Sequence, residues 1–150
     1  MQKIFPIAFD KAVFHPLETF ENPSKDEDIK IQIIHPEFSC VCPKTGYPDF
    51  ARVILRYVPD ELCVELKSWK IFLSDFYGVG HFHEPVTKAI FDEVRLILKP
   101  KFLEVMIDWG ARGGVKTVTS IKKLFHLSTE VDIDDWNDCF ETAVVGWHNN

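Results

Sequence analysis

The stretch "ARVILRYVPDELCVELKSWKIFLSDF", residues 51–76, contains a change of hydrophobic period that decides the fold class. Val53, Leu55 and Tyr57 fall on alternate positions, which is the period of a strand with one buried face. The segment "LCVELK", residues 62–67, continues this extended pattern after a turn. From Ser68 onward the large apolar residues follow the i, i+3, i+4, i+7 spacing of an amphipathic helix; they are Trp69, Phe72, Leu73 and Phe76. The stretch therefore predicts strands followed by a helix.

Similar patterns extend on both sides of this stretch. Upstream, "DIKIQIIHP" (residues 28–36) has the alternation of a strand, with isoleucines at 29, 31 and 33. Downstream, "HEPVTKAIFDEVRLILK" (83–99) predicts a second helix with Pro85 at its first helical position. Its buried stripe consists of Val86, Ile90, Val94 and Ile97. "FLEVMIDWG" (102–110) and "GVKTVTS" (114–120) predict two strands around a glycine turn.

The predicted element order is strand, strand, helix, helix, strand, strand, in one α+β domain spanning residues 1–150. Residues 1–28 are rich in prolines and charges and are expected to form an irregular N-terminal arm. Residues 121–150 are expected to form a C-terminal extension of open role. Within it, "DIDDWNDCFETAVV" predicts a helix capped by Asp134 or Asp135.

Composition excludes some classes of function. The chain has 150 residues, a net charge of −6 and 46% hydrophobic residues, which is typical of a globular domain that does not grip nucleic acid through its phosphates. No apolar run is long enough to span a bilayer, and no secretory signal is recognisable at the start. We therefore expect a cytoplasmic protein with four free cysteines.

The segment "FSCVCPKTGYPDFA", residues 38–51, places Cys42 on a tight loop between two strands, since turn-forming residues follow it. A cation such as Lys44 nearby would favour the thiolate, which is the nucleophilic form of cysteine. Asp49 could reach the same pocket as a proton donor or acceptor. In the inert alternative, Cys42 is a small buried hydrophobe and Asp49 caps a turn. Cys40 is a bystander or a redox partner of Cys42.

Two further clusters carry polar groups. In "GHFHEP", residues 80–85, at most one of His81 and His83 is expected to share a pocket with Glu84. With the two cysteines these histidines could suggest a zinc site, although the spacing matches no common zinc module. In "ELKSWK", residues 65–70, Lys67 and Lys70 lie three positions apart at a helix start and could contact phosphate groups together. The structural alternatives are a helix-dipole contact for Glu84 and solvated surface for the lysines.

The segments "FSCVCPKTGYPDFA", "VELKSWKIFL", "FHE" and "ARGG", in this order, resemble the QueF family over roughly residues 30 to 120. That family comprises NADPH-dependent 7-cyano-7-deazaguanine reductases of the queuosine pathway, which serves tRNA modification. The resemblance implies the tunnelling fold, with an antiparallel sheet and two helices packed on one face. It also implies a homo-oligomeric ring with active sites between subunits, and no direct contact with nucleic acid or membrane.

The resemblance also assigns roles to residues. Cys42 would add as a thiolate to the nitrile carbon and form a covalent thioimide, while Asp49 passes protons. NADPH would deliver one hydride to this adduct and a second to the following imine. The substrate-binding residues implied are Val64, Glu65, Leu66, His83 and Glu84, and those implied for the NADPH phosphates are Lys67, Lys70 and Arg112. No metal is implied. Tyr77 and Gly78 stand where many members have arginine and asparagine.

Three other functions are compatible with parts of these motifs. An amidinotransferase acting on the same nitrile in tRNA would keep Cys42 and Asp49 but would not need the lysine motif. A zinc-dependent cyclohydrolase of the tunnelling fold would read a guanine-like ring through a glutamate and would need metal ligands. A non-catalytic module that binds deazaguanine would need no nucleophilic thiol. The complete set of motifs favours the reductase.

Overall fold

Four long strands make up most of a six-stranded sheet in the computed structural model. The structure describes residues 7–126 and 131–136. In chain order the elements are β1 (Ile7–Ala8), β2 (Thr19–Glu21), β3 (Ile31–Val41), β4 (Pro48–Val58), β5 (Leu62–Val64), α1 (Leu66–Ser74), β6 (Val79–Gly80), α2 (His83–Leu98), β7 (Phe102–Trp109) and β8 (Val118–Leu124). The mixed α+β class is therefore confirmed, and the short strands β1, β2 and β6 are added to the predicted elements. Strand β5 lies within the extended segment predicted at residues 62–67, which ends earlier because α1 begins at Leu66.

The sheet has the strand order β1-β6-β3-β4-β7-β8, and β2 pairs with β5 in a separate two-stranded sheet. The long strands β3, β4, β7 and β8 pair antiparallel, as predicted. The prediction of an antiparallel sheet is wrong at one edge, where β6 runs parallel to both β3 and β1. Parallel neighbours require a crossover connection, and α1 belongs to the connection that returns the chain to this edge.

Both helices pack on one face of the sheet. The alternating residues Val53, Leu55 and Tyr57 of β4 are almost fully buried there. Trp69 and Phe76 come from α1 and the turn after it, and they join the same hydrophobic cluster. Val86, Ile90 and Val94 of α2 complete the layer, as the helical spacing predicts. None of the helices in residues 7–126 and 131–136 has the length and apolarity needed to cross a bilayer.

The ends of the elements differ from the predictions by a few residues. Helix α1 begins at Leu66 rather than Ser68, because the Glu65 side chain accepts hydrogen bonds from two backbone N–H groups of the first turn. Helix α2 begins at His83, so Pro85 occupies its third position, where a missing N–H still costs no intrahelical bond. Strand β8 lies further along the chain than residues 114–120, since a tight turn and a short extended segment precede it.

The arm predicted as irregular over residues 1–28 contains two short strands within the part that the structure describes, and is otherwise mostly irregular there. Strand β1 pairs with β6, and β2 pairs with β5. Between them Phe9 and Phe14 contact the ring of Phe76, and Leu17 is buried in the main core. Strands of two or three residues are too short to show a period, so the sequence carried no sign of them.

Residues 131–136 pack against the second face of the sheet, opposite the helices. Trp136 is buried there against Phe102 and Val58. The ammonium group of Lys30 and the guanidinium of Arg56 lie 5.3 and 5.8 Å from the centre of the Trp136 ring. The helix predicted from Asp134 or Asp135 is not present over residues 131–136, and its remaining residues lie outside the described part of the chain.

Candidate active site

The loop that carries Cys42 joins β3 to β4, as predicted. Within it the Cys42 N–H donates to the Tyr47 carbonyl at 2.8 Å, and the Gly46 N–H donates to the Cys42 carbonyl at 2.9 Å. Gly46 has a φ of 75°, in the left-handed region that glycine adopts without a steric penalty. These bonds close the loop tightly and hold the Cys42 thiol at the end of the sheet.

Asp49 is the second residue of β4, and it lies opposite Cys40 of β3 in the strand register. Its side chain is buried, and both carboxylate oxygens have partners. Arg112 donates from Nη1 to Oδ1, while Nε2 of His83 lies 3.4 Å from Oδ2. Two basic groups from distant parts of the chain therefore meet at one buried carboxylate.

Helix α2 brings His83 and Glu84 to this carboxylate from its first turn. The imidazole of His83 stacks on the indole of Trp109, with ring centres 3.8 Å apart and planes 4° from parallel. Glu84 follows on the helix, with an exposed side chain at the cavity. His81 instead packs against Phe9 at 4.1 Å. The prediction that at most one of the two histidines shares a pocket with Glu84 is therefore confirmed.

These side chains surround a cavity of about 540 Å³ at the end of the sheet. Its lining consists of Cys42, Pro43, Asp49, Phe82, His83, Glu84, Arg112 and Gly113. Five residues that the sequence singled out thus meet in one place, and they span three separate segments of the chain. A volume of this size accommodates a small heterocycle.

The electrostatic surroundings of Cys42 favour its thiolate. The pKa of Cys42 lies below the ordinary value of 9.0, chiefly because the Thr45 hydroxyl donates a hydrogen bond to the sulfur. Partial burial and the charge of Asp49 oppose this shift, and backbone N–H groups of Thr45 and Lys44 support it. Lys44 thus contributes through its backbone. The sequence predicted an effect of its ammonium charge instead.

Cys40 behaves in the opposite way. It is fully buried, and burial together with the charges of Asp49 and Cys42 raises its pKa to about 12. Cys40 is therefore a neutral thiol at physiological pH and packs as a small apolar residue. The contrast between two cysteines one residue apart arises because Cys40 lies within β3 and Cys42 lies beyond its end.

The segment of residues 64–70 does not line this cavity. Val64 is buried, and its N–H donates to the Tyr57 hydroxyl at 3.1 Å. Glu65 caps α1, and the N–H groups of Lys67 and Ser68 hold its pKa below the ordinary value. Leu66, Lys67 and Lys70 are exposed. Within one chain, these five predicted ligands are separate from Cys42.

Arg112 lies on a tight turn, in which it exchanges backbone hydrogen bonds with Val115. The two residues between them, Gly113 and Gly114, both have positive φ, which non-glycine residues adopt at a steric cost. The ion pair with Asp49 is the main reason that the pKa of Arg112 is raised. The structure therefore places Arg112 beside the carboxylate, in a cavity that neither Lys67 nor Lys70 lines.

Sequence reasoning missed Phe82, Pro43 and Gly113 as lining residues, although each adjoins a residue that it singled out. It also missed Trp109 beneath His83, for which no local signal exists. Among residues 7–126 and 131–136, no group of three or more His, Cys, Asp or Glu side chains is arranged to hold a metal ion.

Comparison with known proteins identifies the family of this chain. The model of the QueF-like protein family matches residues 48–125. The chain belongs to the QueF-like family. The QueF-like chain is 42% identical over 129 residues to the NADPH-dependent 7-cyano-7-deazaguanine reductase of Nitrosomonas eutropha, covering 84% of this chain and 93% of that protein. It is 49% identical over 106 residues to the reductase of the same name from an Anaeromyxobacter species (strain Fw109-5), covering 71% and 87%.

A solved structure has a similar fold. The crystal structure of the archaeosine synthase QueF-Like in the apo form superimposes with a TM-score of 0.55, covering 63% of this chain and 90% of that chain. The two sequences are 17% identical, so the similarity shows that this chain has a related fold and says nothing about its chemistry.

Proposed function

We propose that this chain reduces the nitrile of 7-cyano-7-deazaguanine to an aminomethyl group with NADPH, in queuosine biosynthesis. The observation that carries the proposal is the meeting of Cys42, Asp49, His83 and Glu84 in one cavity. The names of relatives that are 42% and 49% identical supply the substrate and the cofactor. The fold is proposed to be the tunnelling fold, built around the two-layer arrangement of β3, β4, β7 and β8 with two helices.

Cys42 is proposed as the nucleophile. A thiolate adds to the nitrile carbon, the carbon–nitrogen triple bond becomes a double bond, and the nitrogen takes up one proton. The product is a thioimide bound to sulfur, which accepts hydride more readily than the nitrile. The lowered pKa of Cys42 supports this role, because it raises the fraction of thiolate at neutral pH.

Asp49 and His83 are proposed to move protons to and from the nitrogen of the substrate. Both line the cavity with Cys42, and His83 Nε2 lies 3.4 Å from Asp49 Oδ2, so the two groups can act together. Arg112 holds the other oxygen of the carboxylate and thereby fixes its orientation.

Glu84 and Phe82 are proposed to recognise the heterocycle. A carboxylate accepts two hydrogen bonds, which suits the adjacent ring N–H and exocyclic amine of a guanine-like base. Phe82 lies beside it in the cavity lining and leaves 49% of its surface exposed, enough for a planar ring to stack on it.

NADPH supplies the hydrides when bound. Lys67 and Lys70 are proposed to hold its phosphates, because both are exposed, lie one turn apart on α1 and form no salt bridge with a carboxylate of the described residues. Their cationic side chains fit phosphate oxygens. Arg112 would add to this set only if its guanidinium contacted Asp49 and a phosphate together.

Because Val64–Lys70 lies apart from the cavity within one chain, we propose that a second copy in a ring homo-oligomer completes the site. Exposed aromatic side chains adjacent in the chain to site residues support this arrangement: Tyr47, in the loop of Cys42, is 61% exposed, and Phe50, next to Asp49 on β4, is 64% exposed. Apolar surface of this kind is typical of an interface, and a covering subunit would keep water away from the thioimide.

The deciding experiment mixes the purified protein with NADPH and 7-cyano-7-deazaguanine and follows NADPH absorbance. Intact-protein mass is measured in parallel without the cofactor. We expect two NADPH consumed per nitrile and an adduct that Cys42→Ala abolishes, whereas Cys40→Ala retains it. An adduct without NADPH consumption would support the amidinotransferase instead. If a folded oligomer shows neither NADPH consumption nor an adduct, the proposal is refuted.

A further inference from the structure

A chain of hydrogen bonds runs behind His83, on the side away from the cavity. Trp109 Nε1 lies 3.0 Å from the hydroxyl of Thr119, which lies 2.6 Å from the hydroxyl of Thr87. The Thr87 hydroxyl lies 3.0 Å from the backbone carbonyl of His83. The set of contacts is closed, because the Trp109 ring at its start stacks on the ring of His83, whose carbonyl lies at its end.

The direction of each hydrogen in this chain follows from the chemistry of the groups. An indole N–H can only donate, so Thr119 accepts from Trp109. A backbone carbonyl can only accept, so Thr87 spends its one hydroxyl hydrogen on His83. The hydrogen between the two threonines must therefore come from Thr119. Every donor is used once, and the arrangement has a single consistent order.

Burial leaves these hydrogen-bonding groups without alternative partners. Trp109 is 0% and Thr87 2% exposed, so neither finds a replacement partner in solvent. The indole plane cannot rotate without losing its acceptor, because Thr119 lies on the neighbouring strand β8. The imidazole stacked on it is held in the same plane, with Nε2 directed toward Asp49.

We propose that Thr119, through Trp109 and Thr87, is a positioning residue that sets the plane of the His83 imidazole at Asp49. This inference rests on the proposed function for its catalytic consequence, because His83 is there a proton carrier and substrate contact. A hydroxyl outside the cavity then controls the rate of the chemistry inside it. Loss of the hydroxyl lets the indole and the imidazole turn, and both the ring contact and the approach of His83 to Asp49 loosen.

The test compares Thr119→Val, which keeps the shape and removes the hydroxyl, with Thr119→Ser, which keeps the hydroxyl. Ser120→Ala is the matched control, because Ser120 is the next residue on β8, is exposed and lies on the opposite face of the sheet. The first readout is NMR of the His83 ring protons in the ligand-free protein, which the indole face shields. The second is the rate of Cys42 adduct formation with the nitrile in the absence of NADPH.

In Thr119→Val we expect the shielding of the His83 protons to fall and adduct formation to slow by roughly 10-fold or more, as for other small misplacements of a reacting group. Thr119→Ser should restore both readouts, and Ser120→Ala should leave both unchanged. Unaltered His83 signals and rate in a folded Thr119→Val protein would overturn the inference. If that variant does not fold, Trp109→Phe preserves an aromatic ring and removes the N–H. Its readout is the adduct rate alone, since a phenyl ring by itself shields the His83 protons less than an indole, and an unchanged rate would overturn the inference.

The two readouts separate this inference from the proposed function. If the wild-type protein forms no adduct but the His83 signals move in Thr119→Val, the proposed reaction fails and the positioning of His83 stands. If the wild-type protein forms the adduct and neither readout changes in Thr119→Val, the reductase stands and the positioning role is refuted.

Discussion

Arg112 and His83 bind the two oxygens of the same carboxylate, that of Asp49, from a turn and from a helix start that are 29 positions apart in the chain. The family resemblance assigned Arg112 to the phosphates of NADPH. The structure instead places Arg112 in direct contact with Asp49, the proposed proton carrier. Loss of the Arg112 guanidinium should therefore slow formation of the Cys42 adduct, a step that does not need NADPH.

Replacing Arg112 with glutamine should slow the formation of the Cys42 adduct in the absence of NADPH by roughly 10-fold, because Asp49 loses the group that orients it. Rapid-quench mixing with the nitrile, read by intact-protein mass, measures this rate. Arg95→Gln is a suitable control, since Arg95 is an exposed cation on α2 that contacts the Phe125 ring. An effect of Arg112→Gln confined to the KM for NADPH would instead return Arg112 to a phosphate-binding role.

The pKa of Cys42 should rise in Thr45→Val, because the hydroxyl of Thr45 is the largest cause of its depression. Thiolates react with iodoacetamide and thiols do not, so the alkylation rate against pH reports this pKa. In the wild-type protein the midpoint should lie below 9.0, and in the variant it should move upward toward that value. Thr117→Val on the turn before β8 should leave the midpoint in place. A midpoint unaffected by Thr45→Val would show that another group stabilises the thiolate.

Cys40 should resist alkylation at the neutral and mildly alkaline pH at which Cys42 reacts, because burial raises its pKa to about 12. Peptide mass mapping after brief treatment at pH 8 should find Cys42 modified and Cys40 unmodified. Under denaturing conditions both cysteines should react, which controls for detection of the Cys40 peptide. Equal modification in the native protein would mean that the end of β3 opens on the timescale of the labelling.

Glu84→Gln should weaken binding of the deazaguanine by about 1–3 kcal/mol, since one carboxylate oxygen that faces a base donor becomes an amide N–H. Isothermal calorimetry with the Cys42→Ala protein measures this without turnover. Glu93→Gln, further along the same helix, provides the control. NADPH affinity should change little; a parallel loss of both ligands would assign Glu84 to the stability of the helix start.

Combined replacement of Lys67 and Lys70 by glutamine should raise the KM for NADPH at least about 10-fold and make it less sensitive to salt, because two phosphate contacts are removed. Adduct formation without cofactor should be retained. Lys88→Gln is the control, since Lys88 is an exposed helical lysine already paired with Asp92. An unchanged KM would exclude these lysines from the cofactor site.

The parts of the fold that the sequence predicted are those whose residues repeat locally. The stripe of Val53, Leu55 and Tyr57 and the spacing of Trp69 and Phe76 are visible within one element, and the structure buries them as expected. The loop of Cys42 was predictable for the same reason, because its turn residues are adjacent in the chain.

The missed features depend on contacts between distant segments. Nothing near Trp109 in the sequence indicates that His83 will stack on it, and nothing near Arg112 indicates Asp49 as its partner. Glu65 shows a different limit: its cap on α1 is a local contact, but the resemblance assigned it to the substrate. The sequence thus indicated most residues that line the site, but it did not indicate which of them contact one another.

The two-residue strand β6 determines how the site should lose its activity on heating. Strand β6 pairs with the end of β3, and just beyond it the His81 N–H donates to the Val41 carbonyl at 3.0 Å. Val41 immediately precedes Cys42, and His81 lies two residues before His83. This backbone junction therefore joins the segment of the thiol to the segment of the groups that recognise the base. Fraying there would separate them in one event, so heat should abolish adduct formation and base binding at the same temperature, below that at which the core melts.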